Sequence, residues 1–291
     1  MEKKRKKSSV KLITIVVMLL LCVAAGAYIV KISRAKAAPP PEEAVTEPAP
    51  EPEAPPAEDP KEKLAHIYTS SGSASDERYT MQAFDSAVEG GSVCLSMPVV
   101  ASGDGIAYVA YEDYLGDMAG LNGYLSGMTE GQIAEVKTKG GNSIVKLSDV
   151  FAKYGTSVNY VIEIRYPNER NIMPFVEAVK EAGVADVTSV SSPYFGALGT
   201  VGNEFPEMTR IFISENEVDL AEARWREEAD MISVDKDLMT EENLAAVHES
   251  GKKFGAWTLN SEDEIRAAVA MGVDSYFTDE GALAVSIEKA G

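Results

Sequence analysis

The chain has 291 residues, 46 acidic against 27 basic side chains and a formal net charge of −19 at pH 7. Residues 62–291 suffice for one large α/β domain. The acid excess excludes nucleic acid, or an anionic lipid surface, as a partner held by general charge, and leaves room for a local cationic pocket.

Residues 1–11 carry Lys3, Lys4, Arg5, Lys6, Lys7 and Lys11 against one acid, Glu2. Residues 12–30 (LITIVVMLLLCVAAGAYIV) are uncharged and almost wholly apolar. As a helix this run rises roughly 28 Å, enough for a hydrocarbon core of about 30 Å. The basic cluster in front outweighs Lys31, Arg34 and Lys36 behind. The positive-inside rule then predicts a single-pass anchor in the cell membrane, with the N-terminus cytoplasmic and the rest of the chain outside. A cleaved signal peptide is the alternative, with Ala35-Lys36-Ala37 as its A-x-A-like site. Against it, the apolar run exceeds the roughly 7–15 residues of a usual signal core. Lipidation at Cys22 is disfavoured by Leu21, which stands where a small residue is needed.

Residues 31–61 read as a linker. Within them, 37–61 holds nine of the fourteen prolines, interleaved with Glu and Ala. Such a composition cannot bury enough apolar surface to fold, and it favours extended polyproline II. The two cysteines, Cys22 and Cys94, fall in the apolar run and in a predicted core strand. Neither a disulfide framework nor a cysteine metal site follows from them.

Residues 62–291 hold 38 acids against 17 bases, which leaves a formal net charge of −21. Here the pattern alternates strand and helix. Leu64–Thr69 is a predicted strand and Thr80–Val88 an amphipathic helix ending at Gly90-Gly91. Ser92–Val100 and Ile106–Tyr111 are β-type runs joined through Asp104-Gly105, a strong hairpin signal. A looser stretch rich in Gly and Tyr follows, then a helix over Leu147–Lys153. Strands are predicted at Asn159–Tyr166, Val187–Val190, Arg210–Ser214, Met231–Val234, Phe254–Leu259 and Val273–Phe277. Helices lie between them at Met173–Glu181, Phe195–Val201, Leu220–Arg226 and Glu241–Glu249, with Leu283–Lys289 last. Ser261 and Glu264 have capping-box spacing, and Gly272 ends the helix they start. About eight strands joined mostly by helices fit a (β/α)8 barrel of TIM type, with a doubly wound open sheet as runner-up. A barrel works at its strand C-terminal ends, which directs attention to His66, Ser96, Glu163, Ser191, Trp257 and Asp279.

Several fragments carry a family resemblance. Ala65-His66 resembles an opening A-H-R-G strand, and Thr80–Phe84 (TMQAF) the tail of E-N-T-x-x-A-F. Gly103-Asp104-Gly105 stands at T-K-D-G, Ile144–Phe151 at I-P-T-L-x-E-V-L and Ile162–Arg165 at I-E-I-K. Trp257–Asn260 (WTLN) resembles W-T-V-N, and Gly272–Asp279 (GVDSYFTD) resembles G-V-D-G-I-I-T-D. In this order they are similar to glycerophosphodiester phosphodiesterases, barrel enzymes that release glycerol phosphate and an alcohol from glycerophosphodiesters.

The resemblance implies two histidines for acid–base work and a divalent cation, Ca²⁺ or Mg²⁺, held mainly by carboxylates. A phosphodiester repels nucleophiles, so metal and cationic side chains must neutralise it while an acid protonates the leaving oxygen. On this alignment His66 is the first histidine and Glu163 a surviving metal ligand. Arg165 replaces a lysine, and Trp257 and Asp279 frame a substrate pocket. The rest departs from the pattern. Ile67-Tyr68 stand for Arg-Gly, Arg78-Tyr79 for Glu-Asn, Ser96-Met97-Pro98 for the metal-binding E-x-D, and Tyr111-Glu112 for His-Asp. No acid occurs in residues 90–103, so no shift of register restores the pair.

The expectation is a degenerate barrel with a ligand-binding or structural role and no bound cofactor. Its ligand would be a small phosphodiester or polyol phosphate. The alternative is an active phosphoric diester hydrolase of lipid metabolism that uses His66, Glu163 and Glu112 in a rearranged site. Apart from that chemistry, Glu163 and Arg165 lie on one strand face and can form a plain salt bridge. The tyrosines of 108–124 read as a hydrophobic lid over the barrel mouth, with a protein-contact surface as the other reading. His248 reads as a surface or packing residue of its helix.

Overall fold

The computed structural model describes residues 63–290. The basic tail, the apolar run 12–30 and the linker 31–61 lie outside the described residues. Among the described residues no helix is long and apolar enough to cross a membrane.

Among the described residues there are nine strands: β1 (Ile67–Thr69), β2 (Cys94–Ala101), β3 (Ala107–Val109), β4 (Asn159–Ile164), β5 (Thr188–Ser192), β6 (Arg210–Ser214), β7 (Met231–Asp235), β8 (Lys253–Trp257) and β9 (Ser275–Thr278). The sheet order is β1-β9-β8-β7-β6-β5-β4-β2-β3, and β1 also pairs with β2. All pairings are parallel except β2–β3. The β1–β2 pairing closes an eight-stranded parallel barrel of TIM type, with β3 a short antiparallel flap on its rim. Closure removes the open-sheet reading, because an open sheet keeps two unpaired edges.

The helices are α1 (Met81–Glu89), α2 (Leu115–Ala119), α3 (Glu130–Ala134), α4 (Leu147–Tyr154), α5 (Glu169–Ala182), α6 (Phe195–Glu204), α7 (Glu217–Ala223), α8 (Glu241–Glu249), α9 (Glu262–Met271) and α10 (Gly281–Ala290). Their apolar faces and the outer faces of the strands form the main core, built around Phe84, Phe175, Ile162 and Phe254. The barrel interior is packed by Tyr68, Cys94, Val161, Ile211 and Met231, with Phe277 above them. Small residues narrow the rest. A Cβ on Gly255 would meet the Ser275 hydroxyl at 2.7 Å, so only glycine fits there.

Local signals explain the boundaries. Gly105, at φ +83°, turns the chain between β2 and β3, as its Asp-Gly pair predicts. Ser261 and Glu264 make the reciprocal capping box at the start of α9, and Gly272 closes that helix in the left-handed conformation. The stretch after β3, predicted as loose, contains α2, α3 and a 3₁₀ turn at Leu125–Gly127. These pack on Tyr108, Leu125 and Ile133 as a satellite core beside the barrel.

Candidate functional site

Because the strands are parallel, their C-terminal ends share one rim. That rim surrounds a cavity of about 510 Å³ whose walls include Ser70, Arg78, Tyr79, Ser96, Pro98, Tyr111, Glu163, Arg165, Trp257 and Asp279.

Asp279 follows β9 and is 8% exposed. Its carboxylate accepts from the Ser70 hydroxyl at 2.5 Å, the Asn260 amide at 3.0 Å and the Arg78 Nη1 at 3.2 Å. Its backbone N–H donates to Asn260 Oδ1 at 2.8 Å, and the Ser71 hydroxyl donates to its carbonyl at 2.8 Å. This carboxylate is therefore fixed on all sides and fixes Arg78 in turn.

Glu163, on β4, and Arg165, just past its end, come together at the rim. Arg165 donates from Nη1 to Glu163 Oε1 at 2.9 Å, and its Nη2 lies 3.5 Å from Glu112 Oε1. The guanidinium carbon sits 3.9 Å from the centre of the Tyr111 ring, a cation–π contact. Burial lifts the Glu163 carboxyl above its ordinary value, while the charge and hydrogen bond of Arg165 pull it back. Tyr111 stacks on Tyr79 with the rings 2° from parallel and 6.3 Å apart. Tyr79 has φ +64°, a left-handed conformation that is strained for a bulky residue. Trp257, on the far wall, donates from Nε1 to the Ser233 carbonyl at 3.3 Å.

Glu163, Arg165, Trp257 and Asp279 thus meet at one mouth. His66 does not. It precedes β1, on the rim opposite the mouth, where its Nε2 donates to Glu288 of α10 at 2.8 Å and its ring packs edge-on to Tyr276. The residues at the mouth end of β1 are Thr69 and Ser70. His66 corrects the sequence reading: β1 starts at Ile67, not Leu64, so the histidine falls on the wrong side of a three-residue strand. An active site built from His66, Glu163 and Glu112 is not assembled. His248, on α8, donates from Nε2 to Asp274 Oδ2 at 2.7 Å, remote from the mouth.

The tyrosines of 108–124 do not form the expected lid. Tyr108 is buried in the satellite core, while Tyr111, Tyr114 and Tyr124 are 47%, 41% and 59% exposed. Tyr111 is wall rather than cover, and Tyr114 and Tyr124 pack on each other beside the mouth.

The model of the glycerophosphoryl diester phosphodiesterase family matches residues 71–282. The chain belongs to this family. The match begins after His66, in keeping with that residue's place on the other rim. No curated protein sequence matches the chain. Solved structures show the same fold. A phosphodiesterase of Oleispira antarctica, in complex with the product sn-glycerol-3-phosphate, superposes with a TM-score of 0.69 at 19% identity, covering 78% of this chain and 98% of that one. A glycerophosphodiester phosphodiesterase of Thermotoga maritima gives 0.65 at 21%, covering 77% and 98%. One from Agrobacterium tumefaciens gives 0.66 at 17%, covering 77% and 98%.

The family implies a divalent cation, and the donors present do not fit one. Ser96 and Pro98 stand at the rim without a carboxylate between them, and Glu163 already gives an oxygen to Arg165. Among the described residues no three of His, Cys, Asp and Glu gather in a way that could hold a metal ion. Hard cations need about six oxygen ligands. A guanidinium, Arg78, stands at the position where the family carries a glutamate. In sequence Arg78 shows only as a departure from the Glu-Asn pair, and its ion pair with Asp279 is not visible there.

Proposed function

We propose that this family member is a catalytically degenerate phosphodiesterase-like barrel. It holds a small phosphodiester or polyol phosphate at its mouth without hydrolysing it. The observation that carries this reading is the composition of the rim at β2 and β3. Ser96, Pro98 and Tyr111 line it where hydrolysis calls for metal-binding carboxylates and a proton-transferring histidine. None of the three offers the carboxylate oxygens or the imidazole that those roles use. The polar capacity that remains serves binding: Arg78 offers guanidinium donors, and Tyr79, Tyr111 and Trp257 offer aromatic wall.

The basic residues 3–11 and the apolar run 12–30 support a tether in the cell membrane, with the barrel on the extracytoplasmic side. The test is product release. The full-length protein, incubated with glycerophosphodiesters and Ca²⁺, Mg²⁺, Mn²⁺ or Zn²⁺ in turn, releases no glycerol phosphate. Metal-dependent release above a no-protein control overturns the reading.

A further inference from the structure

The poor fit between this mouth and a metal has a second side, because a positive charge already stands there. Among the described residues Arg78 and Arg165 are the two cations lining the cavity, and they differ in availability. Arg165 is committed. One Nη donates to Glu163, the other faces Glu112, and a face of the guanidinium is covered by Tyr111. Arg78 has a single acid partner, Asp279, through Nη1, and its side chain is 51% exposed. A guanidinium has five N–H donors in a planar fork, so most of those on Arg78 remain to meet a ligand.

The backbone on both sides of Arg78 is pinned, and its guanidinium has one anchor. Its preceding neighbour, Glu77, accepts from the Thr138 hydroxyl at 2.8 Å, the Gly140 N–H at 3.0 Å and the Asn142 amide at 2.5 Å. Two residues on, Thr80 caps α1 by accepting from the Ala83 N–H. At its far end the guanidinium meets Asp279, itself clamped by Ser70 and Asn260. A cation fixed in advance loses little side-chain entropy on binding, the advantage a bound metal also has. The opposite wall carries Glu215 and Asp219, which repel an anion and confine it to the Arg78 side.

We propose that Arg78 supplies, as a built-in guanidinium, the positive charge other family members take from a divalent metal, so that the mouth binds one phosphoryl oxyanion without metal. Asp279 is the positioning residue for this cation. The inference rests on the ligand-binding reading above and adds its chemistry: a phosphate ester, recognised by an arginine fork.

The experiment titrates glycerol 3-phosphate into the full-length protein by calorimetry, once with EDTA and once with excess Ca²⁺ or Mg²⁺. Affinity is expected to agree within about twofold between the two, because charge-assisted hydrogen bonds to the fork supply it. Arg78→Ala is expected to weaken binding about tenfold or more, the scale of a lost hydrogen bond to a charged group. Arg78→Lys, which keeps the charge but not the fork, is expected to fall between. Arg78→Gln, similar in size and uncharged, repeats the test should the alanine variant prove unstable. Binding that needs the metal, or an Arg78→Gln variant that binds as tightly as the native protein, overturns the inference and leaves the ligand-binding reading standing. Absence of binding under both conditions overturns the two together.

Discussion

Asp279 is the keystone of the mouth, and its removal separates structure from function. In Asp279→Ala the Ser70 hydroxyl and the Asn260 amide lose their acceptor, and Ser70 is 6% exposed. Asn260 is exposed, so water replaces the acceptor its amide loses, whereas the buried Ser70 hydroxyl left unpaired costs about 1–3 kcal/mol. The Arg78 pair adds little, since half-exposed ion pairs contribute about 0–1 kcal/mol. The expected loss is about 1–3 kcal/mol, after allowing for local relaxation. For a domain of this size, about 2–4 °C of Tm accompany each kcal/mol, so Tm falls by about 2–12 °C. Arg78→Ala breaks the same ion pair yet leaves Ser70 and Asn260 satisfied, so its Tm stays within about 3 °C of the native value. Thermal unfolding followed by circular dichroism on both variants reads the difference. Equal shifts for the two, or an Asp279→Ala shift under about 2 °C, would refute the reasoning, because the carboxylate would then not hold the strand-end network.

Other outcomes follow from the same geometry. The raised pKa of Glu163 means that the folded state keeps a proton the unfolded chain has released, so this group's contribution is full below the ordinary glutamate pKa and is lost as pH rises through the raised one; Glu163→Gln should flatten that part of a Tm–pH curve, and an unchanged slope counts against the burial argument. Glu264 behaves oppositely. Lys236 and the capped N–H groups of Ser261 and Asn260 hold it down to about 2, so its stabilisation is present above the ordinary value and is lost as pH falls toward 2. Glu264→Ala should cost about 1 kcal/mol at pH 7, the usual scale of a lost cap, and should show a shallower acid limb in urea melts. Ser96→Glu with Pro98→Asp returns two carboxylates to the rim beside Glu163 and should create Ca²⁺ binding measurable by calorimetry where the native protein shows none; silence from the double variant would mean that more than these two positions bars the metal.

The barrel was legible because its signals are local. Asp104-Gly105, the Ser261–Glu264 box and the glycines at 183 and 272 each mark an element end within a few residues of where it lies. Arg210–Ser214 and Glu241–Glu249 were read to the residue. Strand ends were less legible where both faces are buried, since a continuous apolar run has no period to fix its limits. At β1 the strand begins at Ile67 rather than the expected Leu64, which leaves the half-buried His66 before the strand. The helices α2 and α3 span five residues each, too few for a helical period to show. The Arg78–Asp279 pair joins positions 201 apart in sequence, and no spacing rule reaches that far. What the sequence could show was the missing chemistry at Ser96, Pro98 and Tyr111. What it could not show was that the replacement arginine is braced by a buried carboxylate from the other end of the chain.

The most direct test of the degenerate reading is hydrolysis itself. The full-length protein is incubated with a glycerophosphodiester across Ca²⁺, Mg²⁺, Mn²⁺ and Zn²⁺, with EDTA and Glu163→Gln as controls, and glycerol phosphate is quantified. The expected result is no release above the uncatalysed background under any condition. Release that requires a metal and disappears in Glu163→Gln would contradict it.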